Sequence, residues 1–307
     1  MPIVSVEAAG RYNPEVLDRA VAAHFEALDV AGDLRPGMHV LLKPNLLAAR
    51  DPALAVTTHP ELLAAVARWL RAHGISQITL ADSPGGVYSA AMLRKLYAAC
   101  GLSPLEGLLT LNLDVSSGRR DGFTLITPVL QADYIINCAK LKTHGLTVMT
   151  AGVKNLFGCI PGLQKAEMHM RFPDRERFGE MLCDLCGAVR PALVIVDGVT
   201  GMEGDGPAGG SPREPGLLLG GLLMIYAVYY SARRGEDRVR IKAVMGELRG
   251  QGFLRLFLDS FWALLTPVII LGSIYGGIAT PTEAAVISVY YALFVSVFIY
   301  KTIKVSE

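Results

Sequence analysis

The sequence predicts an α/β layered domain with a mainly parallel sheet, followed by an all-α membrane segment in the form of a helical hairpin. Three observations carry this. Up to about residue 200, short apolar runs alternate with helical segments of roughly 10–15 residues. All six histidines and all five cysteines lie before residue 190. Further on come two runs without any charge, Phe261–Ile278 and Ala284–Tyr300. A chain of 307 residues suggests about two domains. With 51% hydrophobic and 19% charged residues and a mean hydropathy of +0.38, disorder and a disulfide scaffold are excluded. A formal net charge of +1 gives no case for a nucleic-acid partner.

Each element has a local reason. Pro2–Val6 is a β-branched run. Pro14–Leu28 has helical spacing, with Asn13 as N-cap ahead of a proline at the first helical position. Met38–Leu42 reads as a strand. A helix opens around Thr58-His59-Pro60-Glu61 and runs to about His73, where Gly74 stops it. Gln77–Leu80 is a strand, and Tyr88–Cys100 a helix stopped by Gly101. Tyr134–Asn137 and Leu193–Val196 are strands of the fully buried type, and Glu176–Val189 is a helix. The start of the chain shows no basic region followed by a long apolar run. The odd number of cysteines points to reduced thiols.

In open α/β sheets the polar chemistry gathers beyond the carboxyl ends of the strands. Here Lys43-Pro44-Asn45, Asp82-Ser83-Pro84-Gly85-Gly86, Lys140-Leu141-Lys142-Thr143-His144 and Asp197-Gly198 each follow a strand. Taken singly, such residues are ordinary turn formers or caps. Taken together they outline a cleft. The stretch Cys138–His169 holds Lys140, Lys142, His144, Lys154, Asn155, Lys165 and His169, with Glu167 its one acid. Clustered lysines among loop glycines suit a small anionic ligand such as a phosphate or carboxylate. A solvated basic loop and a metal held by the two histidines with an acid are the alternatives. No phosphate-loop pattern of the Walker type occurs. The candidate ligand-binding residues are Lys43, Asn45, Asp82, Lys140, Lys142, Lys154, Asn155, Lys165, Asp197 and Glu203, the last in a Gly/Pro-rich loop that would face the basic cluster or merely be polar. If the domain is an enzyme, His144 or His169 is the candidate general acid/base, because imidazole titrates near neutral pH. Cys183 and Cys186 share a helix face past its middle and read as packed, inert thiols.

The combination Lys43-Pro44-Asn45, Asp82-Ser83-Pro84-Gly85, Lys140-Leu-Lys142-Thr-His144, Gly152-Val-Lys154-Asn155-Leu-Phe-Gly158 and Asp197-Gly198…Glu203-Gly-Asp-Gly-Pro207 closely resembles the domain of unknown function 362 family, over about residues 1–220. The resemblance implies a cytosolic α/β domain, often followed by a ferredoxin-type module with two four-iron clusters. That module's Cys-x-x-Cys-x-x-Cys-x-x-x-Cys-Pro pattern is not in this sequence, so no iron–sulfur cluster is expected and the cofactor is left unknown. It implies a fold and a site, not a reaction.

Composition breaks near Gly216–Gly221. Residues 1–215 carry 20 Lys+Arg against 22 Asp+Glu, net −2, and residues 216–307 carry 9 against 6, net +3. The expected division is an α/β domain over 1–215, a truncated apolar helix over 216–230, and a basic loop plus hairpin over 231–307. The two uncharged runs, 261–278 and 284–300, are each near the lower limit for a spanning helix. Seven Lys/Arg precede them in Ser231–Arg255, Lys301 and Lys304 come after, and the connection Ala279-Thr-Pro-Thr-Glu283 has no base. This fits a hairpin in the inner (cytoplasmic) membrane with both ends and the N-terminal domain cytoplasmic. A buried soluble hairpin is the alternative.

Tyr226–Arg238, Phe261–Gly272, Tyr275-Gly-Gly-Ile278 and Thr280-Pro-Thr-Glu-Ala-Ala285 resemble the large permease subunit of TRAP-type dicarboxylate transporters, over about residues 222–307. That family imports organic acids with sodium, together with a small permease and a binding protein. About a fifth of such a subunit is represented, too little for a transport pathway. The expected reading is a fusion or chimera of an anion-binding α/β domain with a non-transporting permease fragment, from a gene fusion, an assembly error or frame-joined fragments. The alternatives are a genuine membrane-anchored α/β protein, redox-associated or enzymatic, and a component of a TRAP-type transport system. The expected partners are a small anion and the lipid bilayer, with other permease subunits only under the transporter reading.

Overall fold

A computed structural model of the chain describes residues 4–221, together with the single positions Leu265, Tyr291 and Val295. The chain divides into two compact units, Met1–Gly235 and Glu236–Glu307. Among the described residues no helix is long and apolar enough to cross a membrane. The expected hairpin over 261–278 and 284–300 lies outside the described residues, as does the basic loop before it.

In the first unit, β1 (Val4–Ala8) leads to α1 (Pro14–Ala27) and the single turn α2 (Val30–Asp33). Then come β2 (His39–Pro44), α3 (Pro60–Ala72), β3 (Gln77–Leu80), α4 (Ala90–Ala99) and β4 (Thr110–Leu111). A small antiparallel ribbon, β5 (Ser117–Arg120) and β6 (Phe123–Ile126), precedes the short α5 (Thr127–Gln131). The long β7 (Tyr134–His144) folds back into β8 (Val148–Thr150) and is followed by α6 (Gly152–Asn155), α7 (Gln164–Arg171) and α8 (Arg175–Val189). Last come β9 (Leu193–Glu203), β10 (Ser211–Arg213) and β11 (Leu217–Gly221).

The main sheet has the order β1-β11-β9-β7-β2-β3-β4. Strands β9, β7, β2, β3 and β4 are parallel neighbours, and β11 and β1 add an antiparallel edge. The expected α/β layering with a mostly parallel sheet is what the chain forms. The larger core packs Leu17, Phe25, Leu63, Leu70 and Leu96 from α1, α3 and α4 against Leu42, Leu80, Ile136 and Ile195 of the sheet. The second core packs Phe178, Leu182 and Leu185 of α8 against Leu41, Ala81 and Ile135. Successive strand residues alternate between the two, as a sheet covered on both faces requires.

The helix starts obey the capping rules. Asn13 accepts from Val16 N at 3.3 Å, Ser89 from Met92 N at 3.3 Å, and Asp174 from Arg177 N at 2.8 Å. His59 caps α3 through Nδ1, which accepts from Glu61 N at 3.2 Å.

Three expectations are corrected. First, β7 does not stop at Asn137 but runs to His144, and β9 does not stop at Val196 but runs to Glu203. The polar residues stay in strands because neighbours across the sheet meet their hydrogen-bonding needs. Lys140 lies in register with Asp197, and Lys142 with Met202, across a bulge. Second, Lys43 and Pro44 belong to β2 rather than to a loop after it, in register with Asn137 and Cys138 of β7. Third, the helix expected over 216–230 begins instead as a strand. Leu217–Gly221 alternates half-buried and buried positions and pairs with both β9 and β1. Glycines at 220 and 221 weaken a helix there, and β9 and β1 offer ladders on both sides. The rest of that segment lies outside the described residues.

Gly220 shows how tightly β11 is seated. A Cβ on it would stand 2.9 Å from Nδ1 of the buried His24 and 3.3 Å from Leu28 Cδ1. Gly220→Val is therefore expected to lower stability by about 1–3 kcal/mol, the usual range for overpacking, read as a fall in the urea midpoint of the full chain. An unchanged midpoint would show that β11 is not packed on α1.

Candidate functional site

The ends of β2, β7 and β9, the turn after β3 and the helices α6 and α7 bring five lysines and two aspartates together. Lys43 leaves the end of β2 and is fully buried. Its Nζ lies 2.7 Å from Asp82 Oδ1 and donates to Pro44 O at 2.6 Å. Asp82 comes just after β3. Its Oδ2 accepts from Leu46 N at 2.6 Å, and Oδ1 also accepts from Ser83 N at 3.0 Å. Gly158 closes over this pair, because a Cβ there would lie on Asp82 Oδ1 and Lys43 Nζ. This is a close approach that only glycine permits.

A second buried pair sits one strand further along. Lys140 Nζ is 2.9 Å from Asp197 Oδ2, and both side chains are fully buried. Tyr12 Oη donates to Asp197 Oδ1 at 2.7 Å and accepts from Lys140 Nζ at 2.8 Å and from Thr200 N at 3.2 Å. His59 N donates to Asp197 Oδ2 at 3.0 Å, and its ring stacks on Tyr12 at 3.6 Å. Burial, then the charge of Asp197, pushes the Tyr12 phenol upward, so it stays protonated. Burial pushes the Lys140 amine down and Asp197 opposes the shift. Burial holds His59 down at about 4.

An amide chain runs on from the Lys43 side of the site. Asn45 Nδ2 donates to Asn155 Oδ1 at 2.8 Å. Asn155 Nδ2 donates to Asn137 Oδ1 at 2.7 Å and to Lys43 O at 3.2 Å, and Asn137 Nδ2 donates to Gly152 O at 2.7 Å. Each amide is fixed by its neighbours, so the chain is rigid.

The remaining three lysines are different, since none has a carboxylate in ion-pair contact among the described residues. Lys142 is buried and donates only to neutral oxygens, Asn45 Oδ1 at 2.9 Å and Val56 O at 2.6 Å. Burial, then the nearby Lys154 charge, pushes its amine down to about 7. Lys154 is half-buried, with Nζ 4.6 Å from the Phe157 ring centre and 5.8 Å from that of Phe178. Burial, then Lys43, pushes it down to about 8. Lys165 donates to the carbonyls of Ser83 and Pro84, and burial pushes it down to about 8.

His144 ends β7. Its Nδ1 accepts from Leu146 N at 3.1 Å and Thr147 N at 3.3 Å, which leaves the ring proton on Nε2. Burial, then Lys154 and Lys142, pushes it down to about 4, so the ring is a neutral donor at pH 7. His169 is exposed on α7 and stacks on Phe178 at 4.7 Å. Between β8, α6 and α8 opens a cleft of about 390 Å³, lined by Met149, Val153, Lys154, Arg175, Gly179 and Leu182.

Of the sequence candidates, Lys43, Asn45, Asp82, Lys142 and Asn155 form one polar network and Lys140 with Asp197 a second, with Lys154 and Lys165 beside them. Glu203 stands apart, exposed and paired with Arg213 at 2.7 Å. Among the described residues no group of three or more His, Cys, Asp or Glu is arranged to hold a metal ion. Tyr12, His59 and Asn137 are the members that sequence reasoning misses. Tyr12 and Asp197 lie 185 residues apart, and the local signals at Tyr12 and His59 are those of helix starts. Cys183 and Cys186 are free thiols, and burial pushes both upward, as fits packed, unreactive sulfur.

Removing one partner of a buried pair strands the other charge. Asp82→Ala is expected to cost about 3–5 kcal/mol in urea unfolding, against less than about 0.5 kcal/mol for Glu203→Ala at the surface. Similar small losses for both would show that the Lys43–Asp82 pair is not held dry.

Comparison with known proteins divides the chain as its composition does. A thylakoid-associated protein of Synechocystis sp. is 42% identical over 194 residues, 60% of this chain and 59% of that protein. The isethionate TRAP transporter permease of Oleidesulfovibrio alaskensis is 41% identical over 93 residues, 29% of this chain and 13% of the permease. The C4-dicarboxylate TRAP transporter large permease of Pseudomonas aeruginosa is 41% identical over 93 residues, 30% of this chain and 20% of the permease. The chain thus spans under two thirds of the length of each of these relatives. The family model of the tripartite ATP-independent periplasmic transporter DctM component matches residues 213–307. The model described as domain of unknown function (DUF362) matches residues 40–225, more than half of the chain, and the protein belongs to that family.

Proposed function

We propose that the α/β domain binds a small anion at the carboxyl end of its parallel strands, with Lys142, Lys154 and His144 as the donors. The observation that carries this is the charge balance. Lys43, Lys140, Lys142, Lys154 and Lys165 gather around Asp82 and Asp197, and only Lys43 and Lys140 have ion-pair partners among the described residues. Sequestered ammonium groups without counter-charge are costly. They are relieved either by losing protons or by gaining an anion. The neutral His144 adds an N–H donor to the same cluster. Asn45 and Asn155 position the lysines rather than meet the ligand, since their amide groups are engaged with one another and with Lys142 and the backbone. An enzymatic role for His144 or His169 is a second proposal. For His144 it would use Nε2 as proton donor, because Nδ1 is capped.

The pH dependence has a definite sign. Anion binding needs the ammonium forms. Lys142 and Lys154 titrate at about 7 and about 8 in the folded chain, so affinity falls as pH rises through these values and binding takes up protons. Sulfate keeps a constant charge across this range. Titrated calorimetrically into the full chain in nanodiscs, it is expected to bind at least about tenfold more weakly at pH 9 than at pH 7, the loss from Lys154 alone, with the loss from Lys142 adding to it. Lys154→Ala should cost a further tenfold or more, the scale of a charged hydrogen bond of about 1.5–3 kcal/mol. A pH-independent affinity with a silent Lys154→Ala would overturn the reading. Unliganded stability depends on the same groups. Their folded values lie below the usual lysine value of 10.5, so the unfolded chain binds more protons and stability rises with pH from about 7 to 9.

We propose also that the segment after β11 attaches this domain to the inner (cytoplasmic) membrane, with the α/β domain cytoplasmic and no transport of its own. The similarity of residues 213–307 to TRAP permeases supports membrane association, and so does the description of the Synechocystis relative as thylakoid-associated. On this reading the chain is a fusion of two unrelated pieces, and the lipid bilayer is its standing partner. Protease added to inside-out vesicles should degrade residues 1–215. Protection of that domain would contradict the topology.

A further inference from the structure

We infer that the ligand of this domain is a small organic acid, seated in the cleft between β8, α6 and α8 with its carboxylate on Lys154 and its hydrocarbon part on Met149, Val153 and Leu182. The inference rests on the anion reading and adds to it the class of anion. Of the five clustered lysines, Lys154 is the one that lines the cleft. It has no carboxylate partner among the described residues. Its underside is occupied by the Phe157 and Phe178 rings at 4.6 and 5.8 Å. Aromatic faces under an amine hold it without satisfying its N–H donors, which stay available for an incoming oxygen.

Arg175, exposed at the start of α8, is a second cation on the same cleft, also without an ion-pair partner among the described residues. The other lining is not what an inorganic ion calls for. Met149, Val153 and Leu182 present hydrocarbon, and Gly179 leaves a bare stretch of α8 between Arg175 and Leu182. A sulfate or phosphate would meet the cations but leave the exposed Met149 and half-buried Val153 uncovered. A short aliphatic chain would cover them and gain affinity with each methylene it buries. A cleft of about 390 Å³ is at the small end of ligand sites, which range over roughly 300–1,000 Å³. Met149 is 52% exposed although apolar, so a bound hydrocarbon chain would remove a standing cost.

The test compares sulfate, acetate and butyrate by calorimetry on the full chain in nanodiscs at pH 7, with empty nanodiscs as reference. The expected result is a gain of about two- to fourfold in affinity per added methylene, competition between butyrate and sulfate, and a butyrate-to-acetate ratio that falls toward one in Met149→Ser. Arg175→Gln should weaken both carboxylates. Met149→Ser alters a half-exposed side chain, so its readout does not depend on the core. If sulfate binds but acetate and butyrate are equal, or butyrate and sulfate bind independently, the organic-acid assignment fails while the anion reading stands. If none of the three binds, the anion reading itself fails.

Discussion

Five lysine amines share the carboxyl end of one sheet with two carboxylates, and most of the site's architecture stems from that imbalance. Charges taken out of water must be paired, hydrogen-bonded or neutralised. Asp82 and Asp197 are used up by Lys43 and Lys140, each at under 3 Å. Both carboxylates also accept backbone N–H groups, and Asp197 takes the Tyr12 hydroxyl as well. Two closed, satisfied networks result, which behave as framework. The excess charge is displaced onto Lys142, Lys154 and Lys165, which are left with carbonyls, an amide oxygen and aromatic faces. The same two aspartates thus define which lysines are ion-paired and which are not, among the described residues.

The parallel sheet makes this possible. Strand register sets Lys140 beside Asp197 and Lys43 beside Asn137. Because parallel neighbours run the same way, their last residues converge on one edge. The backbone of Gly158 then covers the Lys43–Asp82 pair more closely than any side chain allows. Stiffness comes from outside the sheet. Tyr12, from the loop before α1, and His59, at the start of α3, stack on one another and tie both helix entrances to Asp197.

Much of this is legible in the sequence, for physical reasons that differ between residues. β3 is readable residue for residue, and α1, α3 and α8 to within a residue or two at most ends, because apolar period, caps and glycine stops are local signals. The grouping of Lys43, Asp82, Lys140, Lys142, Asn155 and Asp197 is readable because nearly all of them lie at a strand end. The features that escape sequence reading are non-local. Lys140–His144 and Asp197–Glu203 look like loops, since polarity marks loops until a partner strand is known. Leu217–Gly221 looks like part of a helix until β9 and β1 are seen to flank it. Nothing near Tyr12 announces a contact 185 residues away. Glu203 shares the glycine-rich context of the other candidates, yet the path of β9 carries it to an exposed pair with Arg213.

The position of β11 decides what the α/β domain needs from the residues where the two family matches meet. The two family matches overlap over residues 213–225, and β11 lies wholly within that overlap. Its backbone is paired on both sides, to β9 and to β1, and Gly220 is pressed against His24. A junction upstream of Leu217 would remove this strand, expose the ladders of β9 and β1 and unseat α1. A junction after Gly221 leaves the sheet closed on that side. Every residue of the lysine cluster lies between Lys43 and Asp197, and Arg175 and Leu182 of the cleft fall within the same span. The site is therefore built entirely from sequence that precedes the overlap. Among the described residues, the part of the overlap that the sheet depends on most is β11, which closes the ladders of β9 and β1 behind the site.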